Sequence, residues 1–404
     1  MAAPHPTPYT LFPVPYTLFP VPYYLLLITY YLLLKMFISH SDSTKIQKIH
    51  RAVHSDISID RLMELCEEIS QQIKDPDFSF TYAGVILACQ NRISEAIAFF
   101  ERCPDRAFCR ALAEYLLETG TFTPPTQAYQ ETSPYDVFTK TNFYRSHLKA
   151  TLEIFKDFAI QNPPPSSSPT IVDIGTGNGV LISKIVNQLV QVYSLERIHL
   201  ICIDQSPKML AAASKCCQDS ISIPVQITSI ENLIQNLSQD QLSEIMRCSE
   251  NIWFINGSFS LHHMPESMKI KAFKTLSKIQ AKILLSEGHG NHDKPEKDSP
   301  ELVASVSDFY GFFIEDIANS ISSATEQKIC IQEMMLTDAI TMLKNDWEHR
   351  IDYQNLITEW EKIAEIAGFE VVKTTPTVYH QERPLTFMME LQPTRSLVKK
   401  DAQE

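Results

Sequence analysis

The chain has 404 residues, of which 44% are hydrophobic and 21% charged, so it can bury a substantial core and is not disordered throughout. A formal net charge of −13 and the lack of any long Lys or Arg run argue against a nucleic-acid-binding protein. The nine cysteines are odd in number and form no CxxC pair. They predict reduced thiols in the cytoplasm rather than a disulfide framework or a zinc site.

Residues 1–35 contain a seven-residue period, which reads PYTLFPV, PYTLFPV, PYYLLLI and TYYLLLK from Pro8. The prolines in the repeat exclude a coiled coil. The apolar stretch at 23–34 is too short to span a bilayer, and no basic region precedes it. We interpret the segment as a translated tandem nucleotide repeat, with Met36 as the native start and no contribution to the fold. A membrane segment or signal peptide is the alternative interpretation.

Residues 41–134 carry a succession of helical signals and predict an N-terminal helical cap. Ser58 or Asp60 is expected to cap a helix that runs to about Ile73. Further helices are predicted at about 79–90, 92–102 and 105–118, with the last ending at Gly120. A helical-repeat solenoid is the alternative architecture for this part of the chain.

The composition changes most sharply at QNPPPSSSP, residues 161–169, which follows a predicted helix over 136–158. Beyond it, β-branched runs alternate with amphipathic helical stretches, which is typical of a parallel sheet wrapped by helices on both faces. The predicted strands include TIVDIG, HLICID, PVQIT, IWFING and AKILLSEG, with a long helical region at 298–345 after them. Two closing strands follow a helix that ends at Gly368 and are expected to pair antiparallel.

These patterns predict an α/β fold: a seven-stranded, mostly parallel, doubly wound sheet with a helical cap before it. We place the α/β domain at 135–392 and a disordered tail at 393–404.

A glycine-rich turn, VDIGTGNG at 172–179, follows the first predicted strand and precedes a helix that begins near Val180. Such a turn lets the backbone approach a ligand closely, while the free N–H groups of the helix point at that ligand. Nucleotide, dinucleotide and sulfonium cofactors all use turns of this kind. The third glycine comes one residue too early for GxGxxG, which argues against NAD.

Asp204 ends the second predicted strand, 25 residues beyond Gly179. A carboxylate at this place is positioned to accept both hydroxyls of a ribose. There is no arginine nearby that would indicate binding of a 2′-phosphate. The alternative is that Asp204 caps the following helix, although Ser206 and Pro207 would also begin that helix.

Taken together, VDIGTGNG, ICIDQSPKML and FINGSFSLHHMPE resemble class I S-adenosylmethionine-dependent methyltransferases over about residues 135–392. The resemblance implies a Rossmann-like sheet and S-adenosylmethionine as the cofactor. It implies that Asp173 holds the methionine amino group, while Ile230 and Glu231 lie near the adenine. The cofactor-binding residues expected on this basis are Asp173, Gly175, Thr176, Gly177, Asn178, Gly179, Asp204, Gln205, Ile230, Glu231 and Asn256.

His262 and His263 follow the fourth predicted strand, at the carboxyl edge where ligands of open α/β sheets collect. Methyl transfer from a sulfonium mainly requires that the acceptor be positioned and desolvated, so a base is optional. Either histidine could serve as one, or could instead pack on the turn and donate to a backbone carbonyl. Because the methyl group must point toward the fourth and fifth strands, we predict an acceptor pocket lined by Tyr144, His263, Glu287 and Tyr310. The expected catalytic residues are His262, His263, Glu287 and Tyr310.

His289, His292 and Asp293 follow the fifth predicted strand at a spacing that would suit a metal ion. Gly288 and Gly290 in the same segment favour a mobile loop instead, so no metal is predicted.

A second resemblance is to a narrower family. The segments SDFYGFFIEDIANS, ALAEYLLE, FTKTNFYRSHLKATLEIF and WEKIAEIAGFEVV are similar to the GRAS family, over most of residues 80–392. Plant members of that family are transcriptional regulators, and bacterial members are candidate methyltransferases. Plant members often lack the glycine-rich turn that this chain keeps, so the chain most resembles the bacterial members.

The resemblances imply an enzyme that methylates a small-molecule acceptor. The charge, the cysteine pattern and the short apolar stretch predict a cytoplasmic protein with neither nucleic acid nor membrane as a partner. The alternative is a non-catalytic regulatory scaffold that binds proteins through residues 41–130. A homodimer is left open.

Overall fold

The computed structural model describes residues 38–55, 57–125, 133–380 and 383–394. The prediction that residues 1–35 add nothing to the fold lies outside these residues, as does the predicted tail apart from its first two residues. All nine cysteines are free thiols. None of the helices in the described part of the chain combines the length and the apolar character that crossing a bilayer requires.

The N-terminal helices are α1 (His40–Val53), α2 (Ile59–Ser70), α3 (Phe78–Cys89), α4 (Ile93–Phe100) and α5 (Ala107–Thr119). Ser58 rather than Asp60 caps α2, because the Ser58 hydroxyl accepts the Arg61 N–H at 3.3 Å. Gly120 ends α5 as predicted, in a left-handed conformation with φ +67°. Helix α3 is buried along almost its whole length and packs against α1, α2 and α4.

Seven strands form one sheet: β1 (Thr170–Ile174), β2 (Ile198–Asp204), β3 (Val225–Glu231), β4 (Ile252–Ser258), β5 (Ile283–Gly288), β6 (Phe369–His380) and β7 (Arg383–Pro393). Their order is β3-β2-β1-β4-β5-β7-β6. Strands β1 to β5 pair in parallel, and β7 runs antiparallel to both β5 and β6. The predicted seven-stranded, mostly parallel sheet is confirmed. The strand order reverses between β1 and β4, where ligands of such sheets bind.

The remaining helices are α6 (Ser133–Phe138), α7 (Asn142–Gln161), α8 (Val180–Val192), α9 (Pro207–Ser220), α10 (Gln239–Arg247), α11 (Glu266–Ser277), α12 (Pro300–Ser320), α13 (Ala324–Cys330), α14 (Thr337–Lys344) and α15 (Ile357–Ile366). Helices α7, α8 and α9 cover one face of the sheet. Helices α10, α11 and α15 cover the other face. Side chains of β1 alternate between the two cores, with Ile171 in the first and Val172 in the second.

The predicted helical region at 298–345 consists of α12, α13, a π-helix (Ile331–Leu336) and α14. These helices share one hydrophobic core with α1 to α5. The contact is close: the Tyr82 hydroxyl donates to the Asp298 carbonyl at 2.6 Å, and Gly311 packs against Phe108. The helical layer is therefore assembled from two distant parts of the chain.

Candidate functional site

The glycine-rich turn connects β1 to α8 at the carboxyl edge of the sheet. Gly175, Gly177 and Gly179 all have positive φ, at +63°, +56° and +79°. A Cβ on Gly175 would lie 2.2 Å from the Cβ of Ser260, so only glycine lets the turn approach the loop after β4. A Cβ on Gly177 would meet nothing within 4 Å, so this residue borders open space where a ligand can approach the backbone.

Two backbone N–H groups hold the carboxylate of Asp204. Its Oδ2 accepts from Gly177 at 3.0 Å, and its Oδ1 accepts from Ser206 at 2.9 Å. Each oxygen retains a second lone pair, so both can accept a ligand hydroxyl. Ser206 caps α9, because its hydroxyl accepts the Met209 N–H at 3.3 Å. The structure therefore assigns the cap to Ser206 and leaves Asp204 beside the turn.

Asp173 and Asn256 form a buried pair beneath the turn, because the parallel register sets β1 against β4 at these positions. Asn256 Nδ2 donates to Asp173 Oδ1 at 2.6 Å, and the Thr176 hydroxyl donates to the Asp173 carbonyl at 3.1 Å. Burial raises the pKa of Asp173 to about 7, although the hydrogen bond from Asn256 to its carboxylate acts in the opposite direction. A bound cation next to this carboxyl would favour its ionised form.

A cavity of about 880 Å³, its open mouth included, lies at the ends of β1, β2 and β4. Among the predicted cofactor residues, Gly175, Gly177, Asp204 and Gln205 line it. The predicted residues that support the turn from outside the cavity are Asp173, Thr176, Asn178, Gly179 and Asn256. Asn178 also donates to Asp136 of α6 at 2.9 Å and so connects the turn to that helix.

The third strand contributes different residues from those predicted. Ile230 is buried in the core and Glu231 is exposed, and neither lines the cavity. The lining there is formed by 232–234 instead. The reason is that β3 continues through Glu231, beyond the predicted PVQIT run, so the chain reaches the cavity later. Tyr135, Phe259 and Ser260 were not predicted as site residues, although Phe259 and Ser260 lie inside the FINGSFSLHHMPE motif; no motif marks Tyr135.

A second cavity, of about 600 Å³ with its mouth included, adjoins the first. Tyr135 and Phe259 line both cavities. We call the first the strand-end cavity and the second the aromatic cavity. Of the predicted acceptor residues, Tyr144 and Tyr310 line the aromatic cavity, together with His262.

Glu287 lines neither cavity but fixes the loop between them. This fully buried residue near the end of β5 accepts the N–H groups of Ser260 and Leu261 on Oε1, at 3.1 and 2.8 Å. Its Oε2 lies 2.7 Å from His262 Nδ1. The acceptor beside Nδ1 assigns the proton to that nitrogen, which leaves Nε2 of the neutral ring as an acceptor. Burial opposes a charge on His262, but the Glu287 carboxylate outweighs it and raises the pKa of His262.

His263, although adjacent, lines the strand-end cavity rather than the aromatic one. Its Nδ1 donates to the Ile351 carbonyl at 3.0 Å. Burial, with the neighbouring His262, lowers the pKa of His263 to about 3. His263 is therefore neutral and weakly basic at physiological pH, and the structure separates it from Tyr144 and Tyr310.

His289 and Asp293, which follow β5, hold neighbouring backbone in place. His289 Nδ1 accepts the Ile357 N–H at 3.2 Å, and the Asp293 carboxylate accepts the Glu266 N–H at 3.0 Å. Trp347 Nε1 also donates to Asp293 at 3.0 Å. Within the described ranges, no three His, Cys, Asp or Glu side chains are grouped so that they could hold a metal ion.

Comparison with known proteins adds a family match to this geometry. The model of the GRAS domain family matches residues 210–402, just under half of the chain. The match begins inside α9, so it leaves out both the glycine-rich turn and Asp204. A comparison with curated proteins found no match.

Solved structures resemble the chain in fold. The crystal structure of SCL7 from Oryza sativa is 15% identical, with a TM-score of 0.56 over 74% of this chain and 90% of that chain. Magnesium protoporphyrin IX methyltransferase from Synechocystis PCC 6803, with bound SAH, is 14% identical and has a TM-score of 0.39 over 66% and 96% of the two chains. The mitomycin 7-O-methyltransferase MmcR is 12% identical and has a TM-score of 0.34 over 74% and 71%.

The chain is thus an α/β protein with the fold of the SCL7 structure. More particularly, its region after β2 is similar to the GRAS domain family. The likeness to bacterial GRAS members stays a prediction.

Proposed function

We propose that the chain is an S-adenosylmethionine-dependent methyltransferase of the GRAS type that acts on a small-molecule acceptor. The observation that carries this proposal is the junction of the two cavities. One contains the glycine-rich turn and Asp204, the other contains His262 among aromatic side chains, and Tyr135 and Phe259 line both. A cofactor in the first cavity would have its reactive end close to a molecule in the second.

The residues of the strand-end cavity suit S-adenosylmethionine. Asp204 can accept hydrogen bonds from the two ribose hydroxyls. Residues 232–234 line the part of the cavity where the adenine would lie. The Ser260 hydroxyl is buried, lines the cavity and has no hydrogen-bond partner among the described residues, so it is available to a polar ligand. Asp173 is placed behind the turn, where it would favour a cationic amino group. When bound, this cofactor supplies an electrophilic methyl group.

His262 is the base that this arrangement favours. Its Nε2 can take the proton that the acceptor's nucleophilic atom loses when the carbon–sulfur bond breaks and the new bond to carbon forms. Glu287 acts as a positioning residue, because its carboxylate orients the ring and stabilises the imidazolium. The surrounding aromatic side chains exclude water from the acceptor.

Calorimetry with S-adenosylhomocysteine tests the proposal. The wild-type chain should bind it, and Asp204→Ala should weaken binding at least about tenfold, or ~1.4 kcal/mol. The reason is that the substitution removes charge-assisted hydrogen bonds worth about 1.5–3 kcal/mol each. Asp219→Ala is the matched control, since it removes an exposed carboxylate from the far end of α9 and should leave affinity within twofold. Absence of heat with S-adenosylhomocysteine, or binding of NADH instead, contradicts the assignment.

A non-catalytic, protein-binding scaffold is the second candidate. The observation in its favour is that the family match begins after the glycine-rich turn, so what the chain shares with the GRAS model excludes most of the cofactor site. Residues 41–130 would then form the interaction surface, on which Leu117 is exposed. The same calorimetry separates the two candidates, because a scaffold has no use for a ribose-binding carboxylate. Nine free thiols fit the cytoplasmic location that we propose for either.

A further inference from the structure

The aromatic cavity has an unusual combination of lining side chains. Five phenylalanines, three tyrosines and two methionines make most of its wall. The other lining residues are His262, Asp338, Asp352 and Gln354, and none of the described lining residues is a Lys or Arg. The cavity wall is thus mainly apolar and aromatic. It contains two acidic side chains, and neither a lysine nor an arginine is among its described lining residues.

Of the two aspartates that line the cavity, Asp352 says more about the ligand that would fit there. It is 3% exposed, and its Oδ2 accepts the Tyr310 hydroxyl at 2.7 Å and lies 3.4 Å from His292 Nδ1. Its Oδ1 is buried and has no hydrogen-bond partner among the described residues. Burial disfavours the charged form, yet the nearby His292 and the hydrogen bond from Tyr310 hold the pKa of Asp352 below its usual value. The carboxylate is therefore ionised with one oxygen unsatisfied, which is costly in apolar surroundings.

Gln354 presents a second unsatisfied acceptor. The side chain is 2% exposed, lines the same cavity, and its Oε1 has no partner in the described part of the chain. It packs against Gly288, where a Cβ would lie only 2.8 Å from Oε1. Asp352 Oδ1 and Gln354 Oε1 can only accept, whereas the Tyr144 hydroxyl, which lines the same cavity and has no hydrogen-bond partner among the described residues, can donate or accept. A complementary ligand therefore carries a hydrogen-bond donor for the two acceptors.

We propose that the acceptor is a small aromatic or apolar molecule that carries a protonated amine, whose N–H groups donate to Asp352 and Gln354. This inference rests on the proposed function, because it identifies the aromatic cavity as the acceptor site. The ring faces of the wall attract an organic cation, which favours an amine over a neutral donor. Two lining carboxylates repel an anionic acceptor, and a neutral one leaves the charge of Asp352 without a counter-charge from the ligand.

Three phenols with a short para side chain that is cationic, neutral or anionic test the substrate class: tyramine, 4-ethylphenol and 4-hydroxyphenylacetate. Their affinities are measured by calorimetry on the full chain in the presence of saturating S-adenosylhomocysteine. We expect tyramine to bind at least tenfold more tightly than either of the others. Asp352→Asn should reduce this preference to less than threefold while leaving S-adenosylhomocysteine affinity within threefold.

Glu118→Gln is the matched control, since it removes one carboxylate from the surface of α5, where Glu118 pairs with Lys328, and should keep the preference. If the melting curve shows that Asp352→Asn does not fold, Asp338→Asn replaces it, with a reduced preference expected. Equal affinity for the three phenols, a preference for the anion, or binding of none of them overturns the inference. S-adenosylhomocysteine binding is measured first on the same sample, so its absence overturns the proposed function separately.

Discussion

At the scale of single residues, the two adjacent histidines after β4 show how the partner decides the chemistry of a side chain. His262 lies beside the buried carboxylate of Glu287, which raises its pKa against the effect of burial. His263 donates to a backbone carbonyl, and burial lowers its pKa to about 3. The dipeptide gives no sign of this difference, because both partners come from distant segments.

Nuclear magnetic resonance titration of the imidazoles tests this assignment without an activity assay. We expect the pKa of His262 to lie above 6.5 and that of His263 to lie well below it. Glu287→Gln removes the negative charge that favours the imidazolium, so the pKa of His262 should fall. If His262 is the base, the rate of methyl transfer should rise as pH increases through this pKa, because only the neutral ring accepts a proton.

His54→Ala, at the end of α1, serves as the control and should leave the titration of His262 unchanged. A pKa for His262 that is below that of His263, or one that Glu287→Gln does not lower, would show that the carboxylate does not govern the ring.

At the scale of the elements, helix ends are set by identifiable caps. The sequence leaves Ser58 and Asp60 as alternative caps of α2, and the structure chooses Ser58 because its hydroxyl accepts the Arg61 N–H. The helix then ends at Ser70 rather than at about Ile73. Strand β3 likewise extends beyond its predicted end, which moves the cavity-lining residues to 232–234.

Removing the α2 cap should lower the free energy of unfolding by about 1 kcal/mol, within the range of 0.5–2 kcal/mol for such caps. The variant is Ser58→Ala, and the measurement is urea denaturation followed by circular dichroism. Asp60→Ala changes a residue in the first turn that is not the cap, so it should cost less than about 0.5 kcal/mol. Equal losses for the two variants would contradict the assignment of the cap.

At the scale of the whole molecule, the helical layer combines helices from two segments that are far apart in the sequence. Residues 41–134 and 298–345 each show helical periodicity, and the structure packs α1 to α5 with α12 to α14 in a single core. Periodicity tells which face of a helix is buried but not which element covers it. The pairing therefore could not be read from either segment.

Shortening the chain to begin at Met36 tests the interpretation of the repeat. Because a proline-broken apolar repeat has no amphipathic face to pack, we expect an unchanged melting temperature and an unchanged yield of dissolved protein. The measurement is differential scanning calorimetry of the full and shortened chains side by side. A lower melting temperature for the shortened chain, or transfer of the full chain into membranes, would contradict the interpretation.

The sequence by itself determined the seven-stranded sheet, the glycine-rich turn and the position of Asp204 after β2. These features are local: alternating strand and helix signals, three glycines and a strand-ending carboxylate are all visible within short windows. The tertiary structure alone decided which side chains meet around the aromatic cavity. Tyr135, His262 and Asp352 lie more than 85 residues apart along the chain and line one space. Their proximity depends on packing between elements, and side-chain pKa values depend on partners that only packing supplies.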